Sequence, residues 1–92
     1  MTDHLETTLP VLNRLGLHAR AAAKIAALAQ GFQATITLEK DGAQADARSI
    51  LDILGLGCPQ GTRIRLRAAG PDAGPALAAI SALFFQAFGE YA

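Results

Sequence analysis

The sequence has little of what several protein classes require. It contains a single cysteine among 92 residues, Cys58, so an intramolecular disulfide is excluded. We interpret Cys58 as a loop or packing residue in a reducing compartment. No apolar run is long enough to cross a membrane, and the early acids Asp3 and Glu6 do not fit a secretory signal. We therefore expect a cytoplasmic protein without membrane insertion.

Groups that bind metals or cofactors are also scarce. The two histidines are His4 and His18, and neither has ligand partners at a spacing typical of a zinc site. We expect His4 to lie in a frayed N-terminal segment. The sequence shows no P-loop glycine pattern and no serine-histidine-aspartate arrangement. We therefore predict no bound metal and no cofactor.

Acidic residues are absent from a long stretch of the chain, although the net charge is zero. Between Thr7 and Leu38 there is no aspartate or glutamate, while Arg14, Arg20 and Lys24 contribute positive charge. This local excess favours acidic partners or phosphate, although a solvated basic face would give the same composition. It is too small for DNA, which needs a broad basic surface, so we expect no nucleic-acid partner.

The hydrophobic pattern predicts one domain, residues 1–92, with the element order β-α-β-β-α-β-α. Every predicted strand alternates apolar and polar residues, so one face of the sheet is wet and the helices cover the other. This is a two-layer, open-faced sandwich of the α/β (α+β) class, with a four-stranded antiparallel sheet. The predicted strands are 6–12, 32–39, 43–48 and 63–68, and the predicted helices are 19–30, 50–54 and 75–88.

Local sequence signals predict the position or exposure of some of these elements. Pro10 has no N–H to donate to a sheet, so we expect the first strand at an edge. The dipeptide at 41–42, Asp-Gly, is typical of a tight hairpin. Arg63, Arg65 and Arg67 alternate along one strand without interleaved aromatic residues, which favours a solvated face over a nucleic-acid surface.

The segment Gly16–Ala22 places a histidine and an arginine where a loop turns into a helix. A helix N-terminus presents unpaired N–H groups and the positive end of a dipole, which together favour an anion. His18 contributes a titratable imidazole, and Arg20 contributes a guanidinium two residues later. This combination suits a phosphoryl group carried on the histidine itself.

Two motifs and the C-terminal third resemble one known family. Residues 13–20, Asn-Arg-Leu-Gly-Leu-His-Ala-Arg, resemble the active-site segment of HPr, the histidine phosphocarrier of the bacterial phosphoenolpyruvate-dependent phosphotransferase system (PTS). Residues 48–51, Arg-Ser-Ile-Leu, resemble its regulatory-serine signature, and residues 61–88 resemble its last strand and helix. The resemblance implies that His18 takes phosphate on Nδ1 from enzyme I and passes it to an EIIA domain. It also implies a phosphocarrier rather than an enzyme.

The same resemblance identifies the phosphate-binding residues. They are His18, Ala19, Arg20 and Ala21, with Arg20 as the partner of the phosphoryl oxygens. The family usually has proline where this chain has Ala21. Alanine restores an N–H near the helix start that can serve as an additional phosphate donor, so we expect function to survive with an altered phosphate lifetime.

Ser49 has two interpretations. Its spacing from Asp52 fits a helix cap, in which the serine hydroxyl accepts a backbone N–H. In part of the family the matching serine is phosphorylated by HPr kinase/phosphorylase, which would add negative charge beside the partner surface. Asp52 stands where the family commonly has glycine, and this departure weakens the case for kinase docking.

We also predict a docking surface for enzyme I and EIIA domains on a monomer. So short a helix cannot turn all of its aliphatic residues towards the core, and exposed ones rimmed by basic residues suit a transient interface. The alternative is that nearly all of them are core. The candidates are Arg14, Leu17, Lys24, Arg48, Ile50, Leu51 and Leu54.

Three alternative functions remain at this point. Within the carrier family, the protein serves either sugar uptake or the regulatory nitrogen-related branch. The segment at 13–16 and the Ala-Leu-Phe ending of the last helix slightly favour the latter. A small-molecule-binding domain of similar shape would work without phosphorylation, but gives His18 and Arg20 no reason to share a helix start. A degenerate member that regulates only through Ser49 is disfavoured because His18 is retained.

Overall fold

Strands and helices follow the predicted order along residues 4–90, the part of the chain that the computed structural model describes. A 3₁₀ turn, Ala87–Gly89, follows the last helix. The strands are β1 (His4–Pro10), β2 (Thr35–Lys40), β3 (Ala43–Asp46) and β4 (Arg63–Ala69), and the helices are α1 (Ala19–Ala29), α2 (Ile50–Gly55) and α3 (Ala73–Phe85).

The strands form one antiparallel sheet in the order β1-β4-β2-β3. On its inner face Leu9, Leu38 and Leu66 are buried beneath the helices. On its outer face Arg65 pairs with Glu39 at 3.0 Å and Arg67 with Glu6 at 3.3 Å. The predicted open-faced sandwich is therefore confirmed, and the arginines of β4 lie on the solvated face.

The edge position predicted for the first strand and the predicted hairpin are confirmed, while β3 is shorter than the predicted 43–48. The strand β1 lies at one edge and ends at Pro10, which pairs in register with Arg63. The strand β3 lies at the other edge and has four residues. Asp41 and Gly42 connect β2 to β3 with φ of 51° and 84°, the left-handed conformations of a tight two-residue hairpin.

The predicted starts of β1 and β2 need correction. His4 is part of β1 and pairs in register with Ala69, so it does not lie in a frayed segment. The strand β2 begins at Thr35 rather than at residue 32. The reason is that the N–H groups of Gln33 and Ala34 donate to the carboxylate of Asp72, the N-cap residue of α3, instead of to a neighbouring strand.

The last helix is shifted from its predicted bounds of 75–88. It begins at Ala73 and ends at Phe85, because Ala87 and Phe88 adopt left-handed backbone conformations that no α-helix contains. Phe88 nevertheless stays buried, and its ring meets that of Phe84 edge to face at 5.0 Å between centroids. The apolar face predicted for this helix thus includes a residue that lies beyond its end.

The helix α1 packs closely on its neighbours because its buried face consists largely of alanine. The predicted close packing of this face on the sheet is not seen, because the neighbours of α1 are the helices α2 and α3. Within residues 4–90 no helix is long and apolar enough to span a membrane. The buried residues of α1 are Ala21, Ala22, Ile25, Ala26 and Ala29.

Candidate functional site

A tight turn before α1 places His18. Gly16 N–H donates to the Asn13 carbonyl at 3.1 Å, and Leu17 N–H donates to the Cys58 carbonyl at 2.9 Å. Gly16 has φ of +68°, and a β-carbon at this position would lie 2.3 Å from the Cys58 carbonyl oxygen. Only glycine fits this close approach, so the turn holds the start of α1 against the loop that follows α2.

His18 is the N-cap of α1. Its backbone is extended, with φ −76° and ψ 179°, and its carbonyl accepts the N–H of Ala22 at 2.9 Å. The amides of Ala19, Arg20 and Ala21 precede this first helical bond, so the helix itself provides no acceptor for them. No side chain caps this end, and the first turn contains no acid. The positive end of α1 is therefore open to an anion.

The imidazole of His18 contacts a carboxylate from the other end of the chain. His18 Nε2 lies 2.5 Å from Glu90 Oε2, and the two side chains are 24% and 15% exposed. Asn13 Nδ2 donates to the other oxygen of Glu90 at 3.0 Å and to the Gly16 carbonyl at 2.7 Å. Nε2 is thus the ring nitrogen that the carboxylate engages.

Hydrogen bonding and charge keep Glu90 ionised. The hydrogen bond from Asn13 lowers the pKa of the Glu90 carboxyl, as do the hydrogen bond and charge of His18 and the charge of Arg20; desolvation opposes them. Arg20 is exposed at the start of α1. The site therefore combines an imidazole, a guanidinium and a carboxylate around the open end of a helix.

The predicted phosphate-binding residues come together at this end. His18 is partly exposed, Ala19 and Arg20 are exposed, and the side chain of Ala21 is buried. The burial of Ala21 concerns its methyl group, while a phosphate would use its backbone N–H. Across residues 4–90 there is no group of three or more histidine, cysteine, aspartate or glutamate side chains positioned to hold a metal ion.

Comparison with known proteins agrees with this arrangement. A family model described as "PTS HPr component phosphorylation site" matches residues 5–86. Phosphocarrier protein HPr of Xylella fastidiosa (strain Temecula1) is 44% identical over 86 residues, which cover 94% of this chain and 97% of that protein. Phosphocarrier protein NPr of Escherichia coli (strain K12) is 41% identical over 87 residues, with the same coverage of both chains.

The fold also agrees with that of solved structures of phosphocarrier proteins. The crystal structure of HPr-C-His from Thermoanaerobacter tengcongensis superposes with a TM-score of 0.92 at 39% identity, covering 96% of this chain and 99% of that one. The chain belongs to the HPr family. A general role as a PTS phosphocarrier follows from this membership, and proteins of the HPr family interact with components of that system.

In this HPr-family chain the short helix α2 exposes aliphatic side chains. Leu51 is 80% exposed, and Ile50 and Leu54 are also exposed, whereas Ile53 is buried. Leu17, which we expected on the same surface, is buried with 5% exposure. Leu15, two residues earlier, is 66% exposed instead, because the turn at Gly16 directs Leu17 into the core.

The basic residues of the predicted rim differ in their availability. Arg14, Arg20 and Lys24 are exposed, and Lys24 Nζ also donates to the Phe88 carbonyl at 2.5 Å. Arg48 is half-buried, and its guanidinium donates to the carbonyl oxygens of Phe32 and Ala34. Arg48 therefore stabilises the loop between α1 and β2, and presents little charge to a partner.

Ser49 is the N-cap of α2. Its Oγ accepts the N–H of Asp52 at 3.1 Å, and its carbonyl accepts the N–H of Ile53 at 3.1 Å. The side chain of Asp52 also accepts the N–H of Asp46 at 3.3 Å. The cap predicted from the Ser49–Asp52 spacing is present in the structure.

Sequence reasoning missed Glu90 as a member of the site. It is separated from His18 by 72 residues and belongs to no motif. Asn13 lies inside the segment at 13–20. The role of its side chain could not be predicted either, because that role is a hydrogen bond to Glu90. The acid-free stretch around His18 suggested that no carboxylate lies nearby, and the fold brings one there.

Proposed function

We propose that this chain carries a phosphoryl group on Nδ1 of His18, taken from enzyme I and passed to an EIIA domain. The observation that carries the proposal is the placement of His18 at the N-cap of α1, beside three amides without helical partners. Nε2 faces Glu90, so Nδ1 is the nitrogen that remains for bond formation. Membership of the HPr family supports the same role.

The residues around His18 supply positioning and charge, on which phosphoryl transfer mainly depends. The amides of Ala19, Arg20 and Ala21 lie where phosphoryl oxygens would receive hydrogen bonds. Arg20 offers a fork of N–H donors that lysine does not match. A phosphohistidine is a reactive phosphoramidate, so the carrier can be loaded and unloaded without a large change in free energy.

Labelling from phosphoenolpyruvate tests this function. The protein is incubated with a cognate enzyme I, magnesium and labelled phosphoenolpyruvate, and acid-labile label is measured. We expect label on the wild type and on His4→Ala, which removes the chain's other histidine from β1. His18→Ala should take no label. Label on His18→Ala, or none on the wild type, contradicts the proposal.

A substitution of Arg20 tests phosphate binding without affecting folding. Because Arg20 is exposed, Arg20→Ala should leave the unfolding transition unchanged and slow transfer to and from His18. General charge stabilisation of this kind typically contributes about tenfold or more to a rate. Arg63→Ala, which removes an exposed charge from the outer face of the sheet, is the control. Equal rates for the two variants would remove Arg20 from the phosphate site.

The docking surface that we propose consists of Leu15, Ile50, Leu51 and Leu54, with Arg14, Arg20 and Lys24 at its rim. It leaves out Leu17, which is buried, and Arg48, whose guanidinium is occupied by carbonyls. The turn at Gly16 and the loop after α2 are joined by the Leu17–Cys58 hydrogen bond, so both parts lie side by side.

A charged substitution tests this surface. Leu51→Asp should raise the KM for phosphorylation by enzyme I, since it places a carboxylate in an apolar, basic-rimmed interface. Phe85→Asp is the control, because Phe85 is also largely exposed but lies on α3. Both variants should stay folded. If they change the KM to the same extent, docking does not use α2.

The branch of the system is decided by the phosphate acceptor. HPr of Xylella fastidiosa and NPr of Escherichia coli are similar to this chain to nearly the same degree. We propose the nitrogen-related regulatory role over sugar uptake, on the resemblance of residues 13–16. Phosphorylated protein should pass its label faster to a nitrogen-branch EIIA than to a sugar-branch EIIA, and the reverse order would assign it to sugar uptake.

For Ser49 we propose capping of α2 as the main role, with phosphorylation as a second one. A phosphate on Oγ would add a charge of about −1.5 to −2 beside the docking surface and close to Asp52. Incubation with ATP and a cognate HPr kinase, with Ser49→Ala as control, tests the second role. Absence of acid-stable label would restrict Ser49 to the cap.

A further inference from the structure

We propose that Glu90 is a positioning residue for phosphoryl transfer, because it holds a proton on Nε2 of His18 and so keeps the lone pair on Nδ1. This inference rests on the phosphocarrier function proposed above. It adds Glu90 to the residues that act on His18, although Glu90 lies outside the motif at 13–20 and outside residues 5–86, which match the family model. The supporting observations are the His18–Glu90 contact, the role of Asn13 and the backbone before Glu90.

The contact defines which nitrogen carries the proton. Glu90 Oε2 lies 2.5 Å from Nε2, and an ionised carboxylate has no proton to donate. Nε2 must therefore be the donor, and in the neutral ring Nδ1 is then the unprotonated nitrogen. The lowered pKa of Glu90, caused chiefly by the hydrogen bond from Asn13, keeps that carboxylate ionised near neutral pH.

Asn13 shows that the position of Glu90 is built into the fold. Its side chain is buried with 2% exposure, and both N–H bonds of Nδ2 are used, one to Glu90 and one to the Gly16 carbonyl. Its Oδ1 has no hydrogen-bond partner within residues 4–90. A buried amide that leaves its oxygen unpaired in order to donate twice is arranged to hold the carboxylate.

The backbone before Glu90 gives the same indication. Ala87, Phe88 and Gly89 have φ of 51°, 56° and 78°, and two consecutive left-handed residues other than glycine persist only when packing holds them. The buried ring of Phe88 and the hydrogen bond from Lys24 to its carbonyl provide that hold. This reversal brings Glu90 back over the start of α1.

The charge of Glu90 then acts in the transfer itself. As the Nδ1 lone pair bonds to phosphorus, the bond between phosphorus and the donor atom breaks, and its electron pair returns to that donor atom. The His18 ring retains its Nε2 proton and becomes positively charged, and the Glu90 carboxylate faces that charge. In the onward transfer the N–P electron pair returns to Nδ1, and the ring becomes neutral again.

Two variants separate the hydrogen-bond acceptor that Glu90 offers to Nε2–H from its negative charge. Glu90→Ala removes the acceptor and the charge, while Glu90→Gln keeps an acceptor for Nε2–H and removes the charge. The ¹⁵N spectrum of His18 in mildly alkaline buffer reports the tautomer. Initial rates of labelling by enzyme I report the transfer, and Glu39→Gln, on the outer sheet face, is the control.

We expect the wild type and Glu39→Gln to show the Nε2–H form alone, and Glu90→Ala to show a mixture of tautomers with labelling slower by about tenfold or more. Glu90→Gln should keep the tautomer and label at an intermediate rate. An unchanged tautomer in Glu90→Ala overturns the inference, whether or not its rate falls. An unlabelled wild type instead overturns the proposed function.

Discussion

Lys24 on α1 donates a hydrogen bond from Nζ to the carbonyl oxygen of Phe88 at 2.5 Å. This contact joins the first helix to the left-handed turn that follows the last one. A residue that the sequence suggested for the partner surface therefore also holds the segment that places Glu90 against His18.

Replacing Lys24 by methionine should loosen that turn. The variant Lys24→Met keeps the apolar stem and loses one hydrogen bond, so the free energy of unfolding should fall by about 0.5–1.5 kcal/mol. Urea denaturation measures the loss. The control Arg63→Met removes a positive charge from the exposed sheet face and should leave stability unchanged. Equal losses in both variants would mean that the contact to Phe88 contributes nothing.

Gly16 should be intolerant of any side chain. Gly16→Ala forces a left-handed alanine and a clash with the Cys58 carbonyl. Gly57→Ala is a matched control, because Gly57 has nearly the same φ, +65°, but open space around it. The strained backbone costs roughly 1–2 kcal/mol at both sites, and the clash should add about 1–3 kcal/mol at Gly16 alone. Chemical denaturation of the two variants should show this difference, and similar losses would contradict it.

Asp72 should make folding stability depend on pH in the acid range. Its Oδ2 accepts Gln33 N–H at 2.8 Å and its Oδ1 accepts Ala34 N–H at 2.7 Å, and the bond from Gln33 is the main cause of its lowered pKa. Because the folded pKa lies below the unfolded one, this stabilisation is fully present above the unfolded pKa of about 4. It is lost as the pH falls through the folded pKa.

Asp72→Asn tests that dependence. Thermal unfolding near neutral pH should show a lower Tm for the variant than for the wild type, and the difference should shrink as the pH falls below about 4. Asp41→Asn is the control, since asparagine suits the left-handed hairpin position equally well. A Tm difference that stays constant with pH would rule out the charge of Asp72 as its origin.

Ala21→Pro restores the residue usual in the family. No helical bond is lost, because the first one is donated by Ala22, and a compatible proline should stabilise the fold by about 0.4–1 kcal/mol. Removing the Ala21 N–H should also change the hydrolysis rate of the phosphohistidine. Ala23→Pro, inside the helix, should instead cost about 3 kcal/mol or more. Unchanged stability together with unchanged hydrolysis in Ala21→Pro would contradict the prediction.

The parts of the molecule that the sequence predicts well depend on neighbouring residues. Alternation along β4, the Asp41–Gly42 hairpin and the Ser49 cap each need only a few adjacent positions, and all are present in the structure. His18 and Arg20 belong to this group, since a helix start is a local event. Their common location at the open end of α1 followed directly from the motif.

The remaining parts depend on contacts between distant segments. Nothing near Glu90 indicates His18, and left-handed backbone at Ala87 and Phe88 has no sequence signal, because glycine or asparagine normally marks it. In the turn before α1 no periodicity distinguishes Leu15 from Leu17. Which of the two leucines is buried is decided by Gly16 and by the Cys58 carbonyl.

The two edges of the sheet also affect the tendency of copies of this chain to aggregate. Unpaired strand edges are templates for edge-to-edge aggregation, and natural proteins counter this with proline or with very short edge strands. Here one outer strand finishes at Pro10 and the other spans four residues. At high concentration, the β3 edge therefore offers few backbone groups from which an ordered aggregate can grow.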